Sequence, residues 1–276
     1  RGGCRGAAEV RVRPCQVSHF PRWAWLPFGM GILLLASPLL GMLARVSWAE
    51  LPALLASQRA QDALRLSLIT CSISTLVVTA IGVPVSLVLA RSRGWWTSGV
   101  RTLVTVPMVL PPVVAGLALL VTFGRRGLLG APLSAFGIEI GFSTVAVIVA
   151  QSFVSLPFLV VSLEGALRSS EGRYERVAAN LGARPNRVFW RITLPVMAPA
   201  LASGVALSFA RALGEFGATL TFAGSLQGIT RTLPLEIYLL RESDSDIAMA
   251  LSLVLIVIAV LIVLLSSRLR AWGEHG

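Results

Sequence analysis

Residues 174–195 read Tyr-Glu-Arg-Val-Ala-Ala-Asn-Leu-Gly-Ala-Arg-Pro-Asn-Arg-Val-Phe-Trp-Arg-Ile-Thr-Leu-Pro, a polar, Arg-rich island between two long apolar runs. Tyr174, Val177, Ala178 and Leu181 fall at i, i+3, i+4 and i+7, which predicts a short helix with one apolar stripe. Ser170 is placed to cap its start, Gly182 to end it, and Pro185 to open a following helix at its first turn. Such a helix, held outside a bilayer between two spans, either pushes on a partner or is a surface helix with none.

The runs around the island set the class. The chain has 276 residues, of which 55% are hydrophobic, and a mean hydropathy of +0.78. Several runs reach the roughly 20 apolar residues that span a bilayer core, so the expectation is a polytopic helical membrane protein without room for a separate soluble domain. All 24 basic residues are Arg. Without Lys there is no Walker A phosphate loop, whose Lys must reach the phosphates. If the protein performs energised transport, the energy has to come from another subunit. Cys4, Cys15 and Cys71 show neither metal spacing nor a disulfide framework, and His19 and His275 lie near the two ends, so no metal site is expected.

In chain order, residues 1–23 form a basic segment ahead of a first span at about 24–44, too long for a cleaved signal sequence and read as a retained anchor. A loop leads to a second span at 66–90 with Pro84 as a kink. The third, 102–123, holds Pro107, Pro111 and Pro112, which predict a break. In lipid the freed carbonyls must find protein or water, so this break either lines a pathway or is a packing kink. The fourth span is 143–163, with Pro157, and the fifth 197–222, with Arg211 and Glu215 inside it. An amphipathic segment within 225–246, too short to cross, is expected at the outer interface, followed by a sixth span at 247–265. The expected domains are thus the basic segment 1–23, a transmembrane domain 24–268 with a loop at 168–195, and a tail 269–276.

Placing the island in the cytoplasm puts both termini inside. Sixteen Arg and five acids then lie on the inner side, whereas seven outer Arg are matched by seven outer acids and Arg211 by Glu215. The whole net charge of +11 falls on one face, which is the positive-inside pattern and an attraction to anionic lipid. It is not a signal for nucleic acid.

The island also resembles the cytoplasmic loop of ABC importer permeases, which carries Glu-Ala-Ala, three residues, Gly, nine residues, then Ile-x-Leu-Pro. Here Gly182 is followed by nine residues and Ile192-Thr193-Leu194-Pro195. Arg176-Val177-Ala178 stand where Glu-Ala-Ala is expected, with Glu175 one position earlier. The resemblance implies an ATPase-coupling role for Tyr174, Glu175, Arg176, Val177, Ala178, Ala179, Gly182 and Pro195.

Arg211 and Glu215 are four apart, a spacing that shares one helix face and lets them pair. Ionisable residues inside a membrane are costly. They either face an anion path, as a gate, or form a structural pair between helices. Gly214, Gly217, Thr219 and Thr221 around them offer close helix approach and hydroxyl donors. The stretch Ser208–Gly224, the run Thr230–Tyr238 and Val-Leu-Pro-Pro-Val-Val-Ala-Gly at 109–116 resemble the molybdate permeases of bacterial ABC importers, over residues 60–268. That implies an all-α, six-span type I permease in a bacterial plasma membrane, working as a homodimer. Its partners would be two cytoplasmic ATPases that hold ATP and Mg, and an extracytoplasmic oxyanion-binding protein. The chain itself would bind no cofactor and catalyse no bond-breaking. Sulfate, thiosulfate and tungstate are the rival substrates. An ion-driven transporter needs more than the one buried carboxylate, Glu215, and usually a repeat; an intramembrane hydrolase lacks a His in any span.

Overall fold

The computed structural model describes residues 22–92, 94–169 and 172–273. Residues 1–21, with Cys4, Cys15 and His19, lie outside the described residues. So do the expected cap Ser170 and the chain end with His275. Every regular element among the described residues is helical. The chain divides into two units at Arg45. The first contains α1, Trp25–Arg45, long and apolar enough to cross a membrane.

In the second unit α2 (Leu51–Leu55) leads to α3, Gln58–Arg91. The second span was expected to start near residue 66, yet the helix begins eight residues earlier. Ser57 caps it by accepting from the Ala60 N–H at 3.4 Å, and Gln58 donates to Asp62 one turn on at 2.8 Å. At about 1.5 Å per residue α3 exceeds a bilayer core of about 30 Å, so its polar first turns project beyond the lipid. Pro84 lies within α3 without interrupting it.

Next come α4 (Trp95–Val109) and α5 (Pro112–Phe123), bent by 117°. A residue before proline is pushed out of the helical region, and here two in a row precede one: Leu110 has ψ 132 and Pro111 ψ 135. Consecutive pre-proline residues thus cause the bend. α7 spans Thr144–Ser169, and the two arms of the bent pair meet it differently. Arg101, early in α4, reaches Glu164 near the end of α7, while Leu119 and Leu120 of α5 pack on the cluster containing Ala146 and Val147 at its start. α4 thus lies against the second half of α7, while α5 packs chiefly on a later helix, Gly217–Ala223. A short helix, α6 (Gly130–Ala135), joins α5 to α7.

The island folds as α8 (Arg173–Asn180), α9 (Pro185–Val188) and one turn of π-helix (Phe189–Thr193), which feeds into α10, Leu194–Leu213. The fifth span was expected to continue to residue 222. It stops at Gly214, and a separate helix α11, Gly217–Ala223, packs on α5 and α7. Then α12 (Leu233–Ser243) lies against α3 and α13 (Ser245–Gly273), with the Leu233 N–H donating to Ser67 Oγ at 2.6 Å. With the broken pair counted once, length and composition allow six crossings.

Small residues set how closely the long helices approach. A Cβ at Gly82 of α3 would lie 2.7 Å from Leu159 Cδ2, and one at Gly204 of α10 2.9 Å from Leu159 Cδ1. Leu159 of α7, fully buried, is seated between the two glycines. The bundle has two ends. One carries α8 with the starts of α4 and α10, the other α12 with the starts of α3, α7 and α13.

Candidate functional site

At the α8 end, the helix predicted from the stripe is present, and Pro185 opens α9 at its first turn. Gly182 adopts φ +80, which glycine takes without a Cβ penalty, and ends α8. The Gly182 N–H donates to the Ala179 carbonyl and the Ala183 N–H to that of Ala178. The residue at the head of α8 is Gly172, with φ +60 and no side-chain cap. Of the stripe only Ala178 is buried, at 8% exposure, while Tyr174 at 63%, Val177 at 55% and Leu181 at 82% face outward. Trp190, in the π turn, is also exposed. The stripe therefore presents an apolar surface rather than packing onto the bundle. Pro195 sits in the first turn of α10, where a missing N–H is harmless.

Glu175 turns the other way. Its Oε1 lies 2.6 Å from Arg91 Nη2 and accepts from Thr193 Oγ1 at 2.6 Å. Beside it, Glu164 Oε1 takes Arg101 Nη2 at 2.6 Å and Arg168 Nε at 3.0 Å. Arg168 also donates from Nη2 to the Leu89 carbonyl at 3.3 Å. The three at 2.6 Å are short charge-assisted contacts. Beside them lies a cavity of about 790 Å³ lined by Arg91, Arg168, Glu175, Arg176 and Ala179, among others. Arg91, Arg101, Glu164, Arg168 and Thr193 had entered the sequence reading only as loop charges or motif positions. The one signal for them was Glu164, an acid near the end of an apolar run.

The second group lies at the far end of α10. Arg211 Nη1 is 2.6 Å from Glu215 Oε2, as the spacing suggested, but not along one helix. Glu215 stands in the break after Gly214, and its Oε1 accepts the Ala218 N–H at 2.8 Å, satisfying a donor at the start of α11. The side chain of Glu215 is 1% exposed and that of Arg211 28%. Gly217 touches Pro112: a Cβ there would come within 2.7 Å of Pro112 Cβ. Thr221 Oγ1 donates to the Gly217 carbonyl at 2.7 Å, whereas Thr219 Oγ1 is buried without a hydrogen-bond partner. A second buried pair closes the other end of α11. Arg231 reaches Glu236 Oε2 at 3.3 Å and donates to Ser225 Oγ and the Ser225 carbonyl, both at 3.1 Å. Sequence reading did not single out that pair.

The two groups are not brought together. They mark opposite ends of α10, about 30 Å apart for its 20 residues, a bilayer core's thickness.

Comparison with known proteins fits this arrangement. The molybdenum transport system permease protein ModB of Mycobacterium tuberculosis is 57% identical over 227 residues, covering 82% of this chain and 86% of that protein. The sulfate transport system permease protein CysT of Escherichia coli is 33% identical over 214 residues, 77% of each. The crystal structure of a bacterial ABC transporter involved in the import of the acidic polysaccharide alginate superposes with a TM-score of 0.70 at 19% identity, covering 90% of this chain and 94% of that one. That likeness bears on the fold, an importer permease fold. The family described as binding-protein-dependent transport system inner membrane component matches residues 82–274. With its helical crossings, its exposed loop helix and this match over most of its length, the chain belongs to the inner membrane components of binding-protein-dependent transport systems.

Proposed function

We propose that the chain is the permease subunit of an ATP-driven importer that carries molybdate inward across a bacterial plasma membrane. The observation that carries the substrate is the contrast in likeness: 57% identity to a molybdenum permease against 33% to a sulfate permease. Two copies would form the path. Two cytoplasmic ATPases would hold ATP and Mg, and an extracytoplasmic binding protein would deliver the oxyanion. With the α8 end in the cytoplasm, Tyr174, Val177 and Leu181 supply the apolar surface for an ATPase. Ala178 sets that surface against the chain's own helices, Gly182 gives it a fixed end, and Ala179 and Arg176 line the cavity behind it.

At the other end, the Arg211–Glu215 pair fits a structural role at a gate better than a binding role. Glu215 already serves Arg211 and the α11 backbone, so Arg211 carries a compensated charge. A dianion passing a compensated Arg is not trapped, as conduction requires. Gly214 makes the break, while Gly217 and Thr221 hold α11 to the broken α4–α5 crossing. Thr219 keeps one uncommitted hydroxyl in the same wall.

The test is uptake of labelled molybdate by vesicles containing the reconstituted complex, with tungstate, sulfate and thiosulfate as competitors. Saturable, ATP-dependent molybdate uptake that excess sulfate leaves in place supports the reading. Uptake of sulfate in preference to molybdate, or uptake that continues without ATP, overturns it.

A further inference from the structure

We propose that Glu175, Arg91 and Thr193 form a latch that delivers movement of α8 to α3 and α10 together. This rests on the reading of α8 as the coupling helix. It assigns Glu175 a role inside the permease rather than on the ATPase surface.

The geometry gives three reasons. First, the carboxylate is aimed inward. Oε1 takes both Arg91 Nη2 and Thr193 Oγ1, and those two are themselves 3.3 Å apart, which closes a triangle. Its other oxygen curls back over Gly172, 2.9 Å from where a Cβ on that residue would lie. An acid in the first turn is also favoured by the helix dipole. Second, the partners sit at mechanical joints. Arg91 is the last residue of α3, and Thr193 closes the π turn that feeds α10. Such turns are frequent at functional positions because they interrupt the regular ladder.

Third, the contact crosses a gap. α8 packs on α9 and on the π turn, while the cavity of about 790 Å³ separates it from the ends of α3 and α7. Across that space the carboxylate of Glu175 ties α8 to α3. The Arg91 side chain is 54% exposed, against 19% for Glu175. Water screens such a pair, which suits a contact that must open and close within a cycle. Next to it, Glu164 ties α4 to α7, and Arg168 ties α7 to the Leu89 carbonyl of α3. A pull on Glu175 therefore reaches a belt of helix ends already joined by side chains.

The test uses the full complex of permease, ATPase and binding protein in vesicles. Molybdate uptake and ATP hydrolysed are measured on the same preparation for Glu175→Gln, Arg91→Gln and the reciprocal Arg91→Glu/Glu175→Arg. A spin label at Asn180, in a chain with Cys4 and Cys15 changed to Ser, reads the mobility of α8 without any substrate. Each single change is expected to keep the ATPase copurifying, to lower uptake per ATP about tenfold, the scale of a coupling contact, and to loosen the label. The reciprocal change should restore most of both. Singles that keep parental coupling and label mobility overturn the latch. So does loss of the ATPase with unchanged mobility, which would make Glu175 a docking contact, and so does a reciprocal change that restores neither readout. If the parent complex fails to carry molybdate, the substrate reading falls and the label decides the latch alone.

Discussion

Glu215 holds Arg211 with one oxygen, at 2.6 Å, and the first turn of α11 with the other, at 2.8 Å. One carboxylate thus fixes both a charge and a helix start, and its two tasks can be separated. Arg211→Ala strands a carboxylate that is 1% exposed and should cost about 3–5 kcal/mol, the range for breaking a buried pair. Glu215→Gln keeps an acceptor for the Ala218 N–H and leaves Arg211 its partial exposure, so it should cost less. Glu215→Ala loses the helix-start bond too, about 1 kcal/mol more. Thermal unfolding in detergent gives the order. If Arg211→Ala melts like the parent yet abolishes uptake, Arg211 faces the path instead.

The contact between the two half-helices should be intolerant of even a methyl group. A Cβ at Gly116 would meet Thr221 Cβ at 2.7 Å and the Ala218 carbonyl oxygen at 2.8 Å, both on α11. Gly116→Ala should destabilise by about 1–3 kcal/mol, the usual cost of overpacking. Gly99→Ala, where no atom lies within 4 Å, serves as the control and should melt with the parent. Equal melting temperatures for the two variants would show that α5 and α11 separate freely.

Gly182 has open space around its missing Cβ but a φ of +80. Substitution there is therefore a backbone effect. Gly182→Val should raise the strain at the end of α8 by about 1–2 kcal/mol and leave the chain folded and inserted while the ATPase binds less tightly. Gly182→Asn, which tolerates this region better, should bind more than Gly182→Val. Normal copurification and transport by Gly182→Val would remove α8 from the docking surface.

Much of this was legible because it depends on local chemistry. The Gly182-to-Pro195 spacing, the helix between Tyr174 and Leu181, and the break at Pro111–Pro112 all follow from backbone rules within a few residues. The extension of α3 past residue 66 was hidden because polar turns look like a loop until Ser57 caps them. The break after Gly214 was hidden for a related reason. An i, i+4 Arg–Glu pair reads as helix, yet here the Glu leaves the ladder to serve Ala218. The belt at the α8 end could not be read at all. Arg101 and Glu164 are 63 positions apart, and Arg91 and Glu175 are 84. Only packing brings them together.

Orientation rests on the charge distribution, so it is testable by access. Asn186→Cys should react only with thiol reagents that cross the membrane, and Ser243→Cys with impermeant ones added to intact cells. Labelling of position 186 from outside would invert the scheme and move α8 away from any cytoplasmic ATPase.

The seat of Leu159 between Gly82 and Gly204 fixes what can bend during a cycle. A side chain gripped on both flanks works like an axle pin, so α3, α7 and α10 are expected to swing as one lever. A stroke would then be taken up at the joints: the proline corner between α4 and α5, the gap before α11, and the π turn. Freezing those three hinges would stall the machine with its shaft intact.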